Sequence, residues 1–261
     1  MQLDTLRLDV LTDSAKRVFY SLAASEFANN FLLIGGTALA LQIGHRISLD
    51  LDFVFTESSG KLPTHTINAL IRELEAKGHH AKLVNNPAQE SAFKINTGEW
   101  LTDYARDYAI DGAKVTFFAE NQRQGPKRVA FWRSAKRVSL ADTGFKLLHI
   151  DGCKIAKTLV LENRVRSRDL FDLMVLMRDH GLTVDELMHI AETQSDKGTD
   201  SEQHRLILRG LIPLDRMDEG LQSVGVQTSI EDIYRFFDSR LSEQEARIHA
   251  AHLKLLTTSR T

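Results

Sequence analysis

The stretch FLLIGGTALALQIGHRISLDLDFVF, residues 31–55, decides the fold. The apolar run Phe31 to Ile34 breaks at Gly35-Gly36-Thr37, and Asp50-Leu51-Asp52 follows inside a second apolar run. This order predicts a strand, a glycine turn, a helix over 37–43 and a second strand that carries two carboxylates. Side chains alternate along a strand, so Asp50 and Asp52 share one face while Leu51, Phe53 and Phe55 take the other. Two carboxylates on an otherwise apolar strand are costly without a partner. A hard divalent cation held by oxygen ligands answers that need.

Gly35 and Gly36 let backbone N–H groups approach an anion, and the helix start behind them adds the positive end of a dipole. Thr37 adds a hydroxyl. Alone, the glycines read as an ordinary tight turn, and the aspartates as a strand end meeting water. Together, each at the end of its own strand, they point to phosphates bound beside metal. Two Mg²⁺ ions there would stabilise the attacking and leaving oxygens of a phosphoryl-type displacement.

Outward from this nucleus, the N-terminal half reads as mixed α and β. Residues 14–28 are expected as a helix capped from Thr12, Asp13 or Ser14, and Ser58-Ser59-Gly60 as a turn. Ile67, Leu70, Ile71 and Leu74 fall at helical spacing over 64–77, with Gly78 as the stop. Short strands are expected at 81–84, 91–96, 107–110 and 113–119, the last two joined by an Asp111-Gly112 hairpin turn. After Gly125-Pro126 the signals turn helical: 152–164 capped by Asp151, 168–180 capped by Ser167 and closed by Gly181, then 201–211, 229–240 and 243–257. Thr183 and Ser242 begin capping boxes with Glu186 and Glu245. The expected domains are 1–125, an α/β (mixed α+β) unit, and 126–261, mainly helical.

Composition is that of an ordinary globular chain, with 261 residues, 43% hydrophobic and 26% charged. The single cysteine, Cys153, excludes an internal disulfide, and together with the lack of a signal-peptide core or a span-length apolar run it suggests a cytoplasmic setting. Charge is uneven. Residues 121–168 hold twelve Lys or Arg against three carboxylates, a net of +9, leaving −11 for the rest. Such a block suits a polyanion, nucleotide or RNA, or else a solvated helical face. His249-x-x-His252 has ligand-like spacing without supporting residues and reads as a surface helix, and Trp132 reads as packed. No G-x-x-x-x-G-K-[ST] motif is present.

The run Gly35-Gly36-Thr37-Ala38-Leu39-Ala40-Leu41, then Gly44-His45-Arg46, Ser48 and Asp50-Leu51-Asp52, resembles the signature of the AbiEii/AbiGii nucleotidyltransferase toxins, in the DNA polymerase β-like superfamily. Lys157, Arg164 and Arg168-Asp169-Leu170-Phe171-Asp172-Leu173 match its downstream pattern. The resemblance implies a polymerase β-like domain with a mixed sheet, a helical C-terminal domain completing the site, and transfer of a nucleoside monophosphate from an NTP to an acceptor, often tRNA. By the same resemblance Asp50 and Asp52 bind Mg²⁺, and Gly36, Thr37 and Ser48 contact triphosphate. Lys157 neutralises phosphate charge, Asp169 supports the site, and the protein is the toxin of a pair with an antitoxin. Arg46, Arg164 and Arg168 are further candidates for nucleotide binding. Lys157 and Arg164, seven apart, would share one helix face.

A departure stands against this. The superfamily carries a third carboxylate on a neighbouring strand, and residues 113–119 contain none; Asp111 and Glu120 flank them. A kinase using the same platform, or a nucleotide- or RNA-binding module without turnover, are the rival readings.

Overall fold

Seven strands form one mixed sheet in the computed structural model, which describes residues 5–56, 60–121, 123, 125–141, 143–198 and 201–258, with side chains of 255–258 left aside. The turn expected at Ser58-Ser59-Gly60 falls largely outside the described residues. The elements run α1 (Asp13–Ala23), β1 (Phe31–Ile34), α2 (Gly35–Ile43), β2 (Asp50–Phe55), α3 (Thr64–Ala76), β3 (Ala81–Leu83), α4 (Pro87–Thr97), β4 (Ala105–Ile110), β5 (Ala113–Phe118), α5 (Pro126–Ser134), β6 (Arg137–Ser139) and β7 (Lys146–Leu148). They continue as α6 (Ile150–Val160), α7 (Ser167–Asp179), α8 (Val184–Gln194), α9 (Ser201–Leu208) and α10 (Ile230–Thr258). The mixed α/β class is therefore as expected.

The sheet order is β3-β4-β5-β2-β1-β7-β6. β2 pairs with β5 and β1 with β7 in parallel, and the other neighbours are antiparallel. One side of the sheet is aromatic core. Phe53 stacks on Phe117 at 5.4 Å between ring centroids and meets Phe145 edge-on at 5.8 Å; Phe19 of α1 meets Phe145 at 5.3 Å. The period of two holds: Leu51 and Phe53 are fully buried, whereas Asp50 and Asp52 on the opposite face are partly exposed.

Two compact units divide the chain, residues 1–153 and 154–261. The expected break at 125/126 falls too early, because β7 hydrogen-bonds alongside β1 and brings 137–148 into the first unit's sheet. The second unit, from Lys154 on, is helical, with Leu173, Leu176, Leu187, Ile207 and Phe237 fully buried. Among the described residues no helix is long and apolar enough to cross a membrane.

Local signals decided most boundaries. Thr12 caps α1 by accepting from the Ala15 N–H at 3.2 Å. That helix stops at Ala23 rather than 28, because the next residues turn as a 3-10 segment and Ser25 is held to Glu73 at 2.5 Å. The strand expected at 91–96 is instead part of α4: Asn86 caps it, Pro87 starts it and Gly98 ends it with φ 75°. This Asn-Pro start and Gly stop outweigh a brief apolar alternation. The hairpin at Asp111-Gly112 forms as expected, with φ values of 48° and 83°.

Thr183 caps α8 through the Glu186 N–H. Ser242 caps nothing, since α10 runs unbroken through it, carried by buried Leu241 and by Gln244, which donates to Asp185 at 2.5 Å. Asp151 lies inside the first turn of α6 rather than before it, and Arg166, not Ser167, occupies the cap position of α7. The Ser167 N–H and hydroxyl both donate to Asp218. Replacing Phe53 by Ala should cost about 3–5 kcal/mol of stability, because its ring is fully buried against Phe117 and Phe145; equilibrium denaturation of the two proteins measures the difference.

Candidate active site

The turn between β1 and α2 has no room for a side chain. Gly35 takes φ 72°, and a Cβ there would lie 3.0 Å from Asp52 Oδ2. A Cβ on Gly36 would lie 2.2 Å from Arg46 Nη2. A carboxylate and a guanidinium thus occupy the space that side chains at 35 and 36 would fill. Arg46 is itself 8% exposed, and its Nη1 donates to the Ile47 carbonyl at 3.0 Å. Ile34 stands at the cap position of α2 and supplies no side-chain cap to the N–H groups of that helix start.

Thr37 holds this turn to the acidic strand. Its hydroxyl donates to the backbone carbonyl of Asp50 and lies 2.6 Å from the Ser48 hydroxyl, which therefore donates to it. Both residues are buried. Their hydroxyls face each other inside the protein, where they position the site from beneath.

Asp52 sits opposite Ile34, at the end of β1, and Asp50 lies one strand repeat farther. Among the described residues no three of His, Cys, Asp and Glu group closely enough to hold a metal ion. The donor set here is a pair of carboxylates with oxygen ligands only. That chemistry fits Mg²⁺, which keeps several waters and needs one or two carboxylates plus substrate phosphates.

β5 supplies no acid, as the sequence indicated: Thr116 stands opposite Asp52, and Val115 and Phe117 point into the core. Asp111 is engaged at the hairpin turn. The His80 N–H and the His79 ring hold its carboxyl below the usual carboxylate range. Glu120 lies 3.9 Å from Arg128.

The second unit holds its own charged cluster. Lys157 Nζ is 2.7 Å from Asp169 Oδ1 and 2.5 Å from Asp172 Oδ2, and all three residues are buried. Arg164 Nε donates to Asp169 Oδ2 at 2.9 Å. Burial pushes the Asp169 carboxyl up, but Lys157 and Arg164 more than offset this against the opposing Asp172, so it titrates below the usual range. Two cations and two carboxylates balance. The expected shared helix face is absent, because α6 ends at Val160; Lys157 and Arg164 meet at Asp169 instead. Arg168 is 3.3 Å from Glu219.

In the +9 block, Arg123, Lys127 and Arg133 are exposed. Arg137 donates to Thr56 and to backbone carbonyls, Lys136 pairs with Asp151, and Lys157 is buried. Trp132 is packed against Phe118 and Phe131. His249 and His252 lie on the exposed C-terminal part of α10.

A sequence model of the family described as "Nucleotidyl transferase AbiEii toxin, Type IV TA system" matches residues 17–251. The chain belongs to the AbiEii family. A protein of Aquifex aeolicus (strain VF5) named "Uncharacterized protein aq_aa25" is 23% identical over 218 residues, covering 82% of this chain and 88% of that one. A crystal structure described as a "putative nucleotidyltransferase from H. pylori" superposes with a TM-score of 0.48 at 15% identity, over 90% of this chain and 95% of that one. The family match spans both units, from α1 to within α10.

The geometry of this AbiEii chain makes Gly35 and Asp169 good test positions. Gly35→Ala should lose about 1–2 kcal/mol from its left-handed backbone and also push Asp52 aside; denaturation and Mg²⁺ titration read the two effects separately. Asp169→Asn strips a carboxylate from a buried lysine and should cost about 3–5 kcal/mol in the same denaturation assay. Because the folded Asp169 titrates low, its contribution is present above the ordinary aspartate value of about 3.9 and is lost as pH falls through the folded value. Acid unfolding of wild type and Asp169→Asn should therefore converge at low pH.

Proposed function

We propose that this protein is a Mg²⁺-dependent nucleotidyltransferase that moves a nucleoside monophosphate from an NTP to an RNA acceptor, tRNA first among them, as the toxin of a toxin–antitoxin pair. The observation that carries the reading is the glycine turn. Its two side-chain-free positions let Asp52 and Arg46 converge on an uncapped helix start, beside a second carboxylate on the same strand face.

Asp50 and Asp52 would hold two Mg²⁺ ions, which when bound neutralise phosphate charge and activate the oxygens that exchange. The chain's own groups do the rest. Backbone N–H groups at Gly35 and Gly36 receive phosphate oxygens, and the Arg46 guanidinium, pressed against Gly36, adds positive charge beneath them. Thr37 and Ser48 keep turn and strand at a fixed spacing. In the helical unit, Lys157 and Asp169 hold Arg164, whose side chain is 43% exposed, in a defined orientation. Arg168 adds charge nearby in sequence. A cytoplasmic location with NTP and an antitoxin as partners completes the reading.

Incubation with total cellular RNA and protein plus [α-³²P]NTPs tests it. The expected result is a labelled RNA and released pyrophosphate. Asp50→Ala and Asp52→Ala should each lower transfer by about 10³-fold or more, since each removes charge stabilisation in the transition state. Label passing only from [γ-³²P]NTP would make it a kinase. Unchanged growth arrest with both variants would overturn the reading.

A further inference from the structure

The face that carries Asp50 and Asp52 continues beyond β2. Strand register sets Asp52, Thr116 and Asp107 side by side across β2, β5 and β4, and Asp50, Lys114 and Ala109 in the adjacent row. Residues directly opposite one another in a sheet share a face. The alternate positions Tyr108, Ile110, Val115 and Phe117 are core. The row residues Asp107 and Thr116 are only partly buried, and Lys114 is exposed.

Asp107 leans toward the site. Thr116 Oγ1 donates to Asp107 Oδ1 at 2.8 Å, which draws the carboxylate over β5 in the direction of Asp52. Lys114 Nζ lies 3.4 Å from the other oxygen, Asp107 Oδ2. With strands about 4.8 Å apart, the Asp107 backbone lies roughly 10 Å from that of Asp52. That separation agrees with Asp107 standing outside any close metal-ligand group. Thr116 stands between the two carboxylates on the same face of the sheet.

We propose that Asp107 is the general base of the transfer, accepting the proton of the acceptor hydroxyl that enters over Thr116; this rests on the nucleotidyltransferase reading above. The acceptor oxygen forms its bond to the α-phosphorus, the bond from that phosphorus to the bridging oxygen of pyrophosphate breaks, and pyrophosphate leaves with the electron pair. The hydroxyl proton passes to the Asp107 carboxylate and from there to water. Lys114 screens that carboxylate from the phosphates it faces, and Thr116 is its positioning residue.

The test uses the full chain, a labelled RNA acceptor and single-turnover kinetics at saturating NTP. Asp107→Asn should lower the transfer rate by about 10²-fold or more, the scale of a lost general base, with NTP affinity by fluorescent-nucleotide titration within about twofold of wild type. Asp107→Glu should recover part of the loss. Thr116→Val, which keeps the strand shape and removes the aiming hydroxyl, should cost about tenfold and carries the test if Asp107→Asn does not fold. Wild-type rates in Asp107→Asn or in Thr116→Val overturn the proposal while leaving the nucleotidyltransferase reading intact. A parallel loss of NTP affinity and rate makes Asp107 structural and also overturns it. A wild-type protein that labels no acceptor defeats both.

Discussion

Thr37 gives its hydroxyl proton to the carbonyl of Asp50 and receives one from Ser48, with both side chains out of water. A buried hydroxyl without partners costs more than the bonds themselves gain, so this arrangement resists any drift of α2 from β2. Everything at the candidate site inherits its position from that tie. The glycine turn lies on one side of it and the two aspartates on the other. Arg46 closes the loop by packing into the space that Gly36 leaves empty.

That nucleus was readable from the chain because each of its parts depends on local rules: an apolar run, a glycine break, a period of two. The Asp111-Gly112 hairpin was readable for the same reason. The same turn fixes the place of Asp107: counting back from two turn residues pairs 110 with 113 and so 107 with 116, one strand beyond β5. The helix at 87–97 was missed. None of its residues is buried, so it shows no clear apolar stripe, and only its Asn-Pro start and glycine stop declare it. The merging of 229–240 with 243–257 into one helix was hidden because Ser242 resembles a cap locally, while the contacts that carry the helix past it come from Asp185, far off in sequence.

Charge counting along the sequence does not say which cations are available. Twelve fall in one segment, and of these Arg123, Lys127, Arg133 and Lys136 are exposed whereas Lys157 is buried. Lys157 is then found between two buried carboxylates, and Arg164 leans on one of them. A buried lysine between two buried carboxylates, with Arg164 bound from the exposed side, sets orientation more than it attracts ligand, and its loss is felt as instability once one buried member is removed. Linear density of charge and density of available charge are different quantities, and only packing converts one into the other.

The parallel pairing of β1 with β7 joins Leu33 to Leu147. During synthesis, β1 emerges early and then waits while more than a hundred further residues are made before its partner on that side exists. Until then β1, one of the most apolar strands of the sheet, has an unpaired backbone edge available to other chains. The nascent first unit is therefore at greatest risk of misassembly in the interval before β7 leaves the ribosome. No partial chain shorter than 148 residues contains every strand of the sheet on which the carboxylates stand.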